Sequence, residues 1–177
     1  MVQDKPIFLI VNYYKMRYSL VLINLMMIYS CVKPTEYSNV PALEFAGFSK
    51  QTLNQGAFAE DSVIMVLHFT DGDGDFGTEA NKAESNIFVK DLRTNSTLRE
   101  FKAPFVPLEG AGNGISGKIS ILLFSTCCIF PKDTGIPPCE KSKDYPTNDL
   151  SLEIYIKDRA GNKSNTITTP ALLLNCK

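Results

Sequence analysis

Beyond residue 40 the apolar side chains recur at every second position, and a period of two confines the chain to β-structure. Val63, Met65, Leu67 and Phe69 alternate with Ser62, Ile64, Val66 and His68. Leu150, Leu152, Ile154 and Ile156 alternate more cleanly with Ser151, Glu153, Tyr155 and Lys157, as in a strand with one face in a core and the other in water. Further strands are predicted over 42–48, 86–92, 98–103, 118–124 and 166–175. Turn-rich stretches separate them, among them Arg93-Thr-Asn-Ser96 and Glu109-Gly-Ala-Gly-Asn-Gly114. About seven short strands with no amphipathic helix favour an all-β sandwich over other classes, and leave the strand order open.

The first thirty residues differ from everything after them. Lys15 and Arg17 precede an apolar run from Tyr18 to Ile28, followed by Tyr29, Ser30 and Cys31. A positive segment, a short apolar segment and a small residue before a cut site are the layout of a secretory signal. Met16 would begin a compact signal by itself, so residues 1–15 are read as lying upstream of the true start. The position of Cys31 resembles the lipobox of bacterial lipoproteins, with Tyr29 where small residues are commoner. That resemblance implies that Cys31 is lipidated and becomes the N-terminus, with membrane attachment through the lipid and a place in the cell envelope, at the outer membrane. The rival reading is an uncleaved transmembrane anchor, formed by joining residues 7–11 to the second run. It needs about 20 consecutive apolar residues, and Lys15 and Arg17 would fall at its middle. Residues 31–40 then form the lipidated Cys and a polar tether, expected to be disordered, and 41–177 form the domain.

A second resemblance lies at Asp158-Arg-Ala-Gly-Asn-Lys-Ser164, between an alternating strand and a last strand. It looks like the final hairpin of many bacterial immunoglobulin-like domains, with Gly161 supplying a positive φ. The resemblance implies an immunoglobulin-like β-sandwich of the kind found in Bacteroidetes lipoproteins, and says little about function.

The most distinctive chemistry is Thr70-Asp-Gly-Asp-Gly-Asp-Phe-Gly77. Carboxylates at alternate positions, with glycines that let the backbone curl, converge oxygen ligands on a hard cation, and Ca2+ takes about 6–8 of them. Asp71, Asp73 and Asp75 are the candidate ligands, with Glu79 and Glu84 completing the shell. The loop is not an EF-hand: Phe76 stands where that motif has its Gly, Lys82 where it has its bidentate Glu, and strands flank it. It resembles the Asp-Gly-Asp-Gly-Asp segment that follows a strand in lipoproteins of the Bacteroidetes. The competing reading is a solvated acidic turn whose aspartates bond their own backbone.

Apart from Cys31 there are four cysteines, Cys127, Cys128, Cys139 and Cys176, and an even number in an exported domain points to disulfides. Neighbours on a strand face opposite ways, so Cys127 and Cys128 take different partners, which leaves two pairings open. Zinc is disfavoured, since no C-x2-C pair occurs and His68 is the lone imidazole.

An enzyme has little to draw on. A Ser-His or Cys-His site must use His68, in the middle of an apolar strand, and no G-x-S-x-G elbow occurs. Gly112-Asn-Gly-Ile-Ser-Gly-Lys-Ile119 imitates a phosphate-binding loop but has Ile119 where Ser or Thr belongs. The chain carries 18 Lys and Arg against 19 Asp and Glu; setting aside Lys5, Lys15, Arg17 and Asp4 leaves 15 against 18 in the exported part. Its net charge of −3 offers nothing to nucleic acid. The expected function is therefore non-catalytic: an anchored envelope module that binds a glycan or a protein, or supports a larger assembly, with its acidic loop stiffened by calcium. The competing class is a small hydrolase that uses the acidic loop as its metal or catalytic centre.

Overall fold

The computed structural model describes residues 17–18, 36–108 and 114–177. The chain divides into two units, Met1–Pro34 and Thr35–Lys177. Of the first, only Arg17 and Tyr18 are described, both helical. The rest of the signal segment, Cys31 and most of the 109–114 turn lie outside the described residues. Among those described, no helix is long and apolar enough to cross a membrane.

Among the described residues the second unit is all-β, with ten strands in three sheets. The first sheet holds β1 (Ala42–Phe48), β3 (Ser62–Asp71) and β6 (Ile115–Phe124), with β3 central and antiparallel to both neighbours. The second holds β2 (Thr52–Asn54), β10 (Leu172–Asn175) and β7 (Thr147–Leu150). The third runs β5 (Ser96–Phe101), β4 (Ile87–Asp91), β8 (Leu152–Ile156) and β9 (Ile167–Thr168). Only Ser151 separates β7 from β8, so one run of chain serves both the second and third sheets. The arrangement is sandwich-like.

The alternation read from the sequence is the alternation of burial. Val63, Met65 and Leu67 point inward from β3 while His68 and Ile64 are exposed, and Leu150, Leu152, Ile154 and Ile156 are all buried. They join Leu43, Ile121, Leu123, Leu172 and Leu174 in one core drawn from all three sheets. Each fully buried aliphatic side chain contributes roughly 1.5–3 kcal/mol, which is what holds such short strands together.

Differences from the predicted strands have local causes. The strand expected over 166–175 divides into β9 and β10, because Pro170 has no N–H to give to a ladder. Thr169 bridges the break: its N–H donates to the Leu152 carbonyl at 2.9 Å, and its Oγ1 accepts from the Leu152 N–H at 3.1 Å. β2, at three residues, is too short to show a period. The tether expected to reach Val40 is pinned from Ser38, whose carbonyl accepts a 2.7 Å hydrogen bond from Gly72 N–H, and Pro41 is fully buried.

A side chain also fastens the first sheet to the last turn. Asn165 Oδ1 accepts from Leu43 N–H at 2.7 Å, and its Nδ2 donates to the Leu43 carbonyl at 2.9 Å. Asn165→Ala leaves both backbone groups without these partners and is expected to cost about 1–3 kcal/mol, read as a lower urea midpoint at unchanged slope.

Candidate metal centre

Two elements that end at the same edge of the fold build an acidic cluster. β3 ends on Asp71, which continues its inward-facing register and is buried where an aliphatic residue would otherwise stand. The chain then curls, with Gly74 at φ +69, and returns Asp73 and Asp75 toward Asp71. Asp158, just past β8, supplies the fourth carboxylate. One oxygen from each of Asp71, Asp73, Asp75 and Asp158 lies within 4.8 Å of the others.

The hairpin after β8 grips this loop through three successive residues. Asp158 enters the cluster, and its own carboxylate accepts from Asn162 N at 2.7 Å and Asn162 Nδ2 at 2.8 Å. Arg159 Nη1 donates to the carbonyls of Phe76 at 3.1 Å and Val106 at 3.1 Å, with its guanidinium 4.6 Å from the centre of the Phe105 ring. Ala160 N–H donates to Asp75 Oδ2 at 2.9 Å. Gly161 has φ +91, the left-handed conformation expected of that turn.

The electrostatics of the cluster are unresolved by protein groups alone. Both Asp71 oxygens, Asp73 Oδ1 and Asp75 Oδ1 are buried and have no hydrogen-bond partner. Burial, with the charges of Asp73, Asp75 and Asp158 beside it, pushes the Asp71 carboxyl up to about 7. Burial and then Asp158 and Asp73 raise Asp75 as well. Asp61 shows the contrast: hydrogen bonds from Lys50 and from the Asn54 N–H lower it to about 2. Four carboxylates in a space this small repel one another unless a cation lies among them, and the donor set, all carboxylate oxygen, suits a hard metal ion. The cluster could hold a metal ion.

The sequence placed Asp71, Asp73 and Asp75 in the shell, and the structure brings these three together. Glu79, the expected fourth residue, is exposed and outside the cluster, as is Glu84. After Phe76 the chain turns at Gly77, φ +91, and Thr78 pairs with Pro104, which carries Glu79 away. A Cβ at Gly77 would lie 2.0 Å from the Pro104 carbonyl oxygen, so the turn accepts nothing larger. Asp158, the fourth carboxylate, stands in the 158–164 hairpin motif, whose sequence pattern points to fold and carries no signal for a place in the cluster.

Cys127 lies at disulfide distance from Cys139 and Cys128 from Cys176, with Cα separations of 4.4 and 6.0 Å. This settles the pairing, though β6 ends at Phe124 and neither Cys127 nor Cys128 lies on a strand. His68 is exposed on the outer face of β3, aligned with Glu44 of β1 and Lys118 of β6.

No family model, curated protein or solved structure matches the chain.

Proposed function

We propose that the protein is a non-catalytic, lipid-anchored module of a bacterial cell envelope, an immunoglobulin-like sandwich with one end fastened by a single Ca2+. The observation that carries the calcium reading is Asp71, fully buried with both carboxylate oxygens unpartnered and three further carboxylates around it. A buried anion without a partner costs several kcal/mol, and a divalent cation bound by carboxylates from two elements offsets that cost. Calcium fits better than magnesium because Ca2+ accepts crowded, irregular carboxylate shells, whereas Mg2+ keeps several waters in a strict octahedron. The immunoglobulin-like reading draws on the sandwich-like layering and on the β8–β9 hairpin with Gly161 at its turn. The envelope reading draws on the sequence before Cys31 and on two cysteine pairs that suit an oxidising compartment.

A hydrolase centred on the same loop would need a substrate to reach these oxygens, and four of them are buried. That enclosure favours a structural ion.

The test is thermal unfolding of the full chain in lipid nanodiscs, with calcium and then with chelator. Calcium at a hundredfold excess over Kd is expected to add about 2.7 kcal/mol. The gain should vanish in Asp73→Asn and should be smaller with magnesium. An unchanged midpoint at millimolar calcium would reduce the loop to a solvated turn. For the anchor, Cys31→Ser is expected to move the protein from the membrane fraction to the soluble one.

A further inference from the structure

β6 is an edge strand ten residues long, and among the described residues nothing pairs with its side facing away from β3. Beside it runs a groove of about 490 Å3, with Phe69 and Phe76 among its lining residues. Residues 118–122 all line this groove, though Ile119 and Ile121 face the core while Lys118, Ser120 and Leu122 face outward. Consecutive residues of both orientations can line one groove only if the strand's backbone edge forms its wall. Residues 101–104, at the end of β5, line it as well. The space is thus a slot lined by residues of two sheets, β6 of the first and the end of β5 of the third.

We infer that this slot binds an extended segment of a partner polypeptide, which adds to β6 as a further strand. Main-chain groups on the free edge supply hydrogen bonds, and alternate apolar side chains of the segment fill the slot. The outward face agrees. Leu122 and Phe124 on β6 and Ile64 on β3 are 48 %, 43 % and 43 % exposed, and an added strand would cover the two on β6. Charge selects the occupant further: the charged side chains of the lining are Lys102 and Lys118. Lys102 is held by the carbonyls of Ala80 and Lys82, whereas Lys118 stands exposed at the rim without an ion pair among the described residues. The segment therefore alternates apolar residues and carries an acidic side chain opposite Lys118.

The inference names a partner class for the module proposed above, and peptide capture and calcium binding are measured separately, so either can fail alone. The experiment is hydrogen exchange on the full chain in nanodiscs, in calcium, with a short acetylated peptide alternating Val with Thr and Glu. Exchange is expected to slow at amides within residues 115–124. Lys118→Glu, an exposed substitution, should weaken that peptide by up to about fivefold, the upper end for an exposed ion pair, and strengthen a version with Lys in place of Glu. Ile119→Lys should abolish binding of both. No slowing in β6 at millimolar peptide, or slowing confined to another strand, overturns the inference. Slowing in β6 that rises with protein concentration alone, together with dimers in sedimentation, overturns it in favour of a second copy as occupant.

Discussion

In the absence of calcium, the contribution of Asp71 to folding stability is expected to fall by about 3 kcal/mol as the pH rises from 4 to 7, the reverse of ordinary acid denaturation. Asp71 titrates at about 7 in the folded protein against 3.8 when free, because burial and the charges of Asp73 and Asp75 resist its ionisation. Between those limits the folded state holds a proton that the unfolded state has released. Stability then declines with pH at about 1.4 kcal/mol per unit, and the loss from this group is complete above the folded value. Calcium should reverse the slope: a bound cation favours the ionised carboxylates, so stability is gained as the ligands lose their protons and is lost again on acidification. Urea unfolding at intervals from pH 4 to 8, in chelator and in calcium, checks both limbs. Asp71→Asn removes the titration while keeping the shape. It should flatten the chelator curve, exceed the unsubstituted protein at pH 8 without calcium, and lose the response to calcium. A chelator curve that is flat or rising would show that the cluster is solvated and that Asp71 ionises freely.

How far the acidic cluster could be foreseen follows from what a local pattern contains. Alternating aspartates and glycines after a strand specify a loop that can curl on itself, so Asp71, Asp73 and Asp75 were legible within five consecutive residues. The fourth carboxylate was not. Asp158 joins them only because β3 and β8 end at the same edge of the fold, and a sequence with undetermined strand order cannot say that two ends coincide. Glu79 was the natural local choice, and the pairing of Thr78 with Pro104 removed it.

The strands were legible for a related reason. Where one face of a strand is buried and the other wet, as in β3 and β8, the side chains record it with a period of two. β2 and β9 span three and two residues, too few to record a period. Their existence depends on tertiary neighbours: β2 on its parallel partner β10, and β9 on β8. The N–H of Gln55 donates to the Asn175 carbonyl at 3.0 Å, and its side-chain amide to the Cys176 carbonyl at 3.1 Å, so β2 is held in place by the C-terminus.

That dependence sets the second large effect. Cys128 and Cys176 are separated by 48 residues and Cys127 and Cys139 by 12, so loop-closure entropy assigns about 4 kcal/mol to the first link and about 3 kcal/mol to the second. Structure widens the gap. Cys128 and Cys176 are fully buried within the core, and Cys176 follows directly on β10, against which both β2 and β7 are paired. Cys128→Ala with Cys176→Ala therefore removes the tie on a four-residue strand that supports its whole sheet, and leaves space where two sulfurs were packed. Cys127→Ala with Cys139→Ala only loosens a surface loop around the single turn at Lys132–Thr134. Both double variants avoid an unpaired thiol, so urea midpoints compare like with like. The first is expected to lose more stability, and to show faster hydrogen exchange across residues 52–54 and 172–175 even under native conditions. Equal losses, or a larger loss for the surface pair, would mean that the second sheet is held by its apolar contacts through Leu53, Leu172 and Leu174 and that the buried link is dispensable.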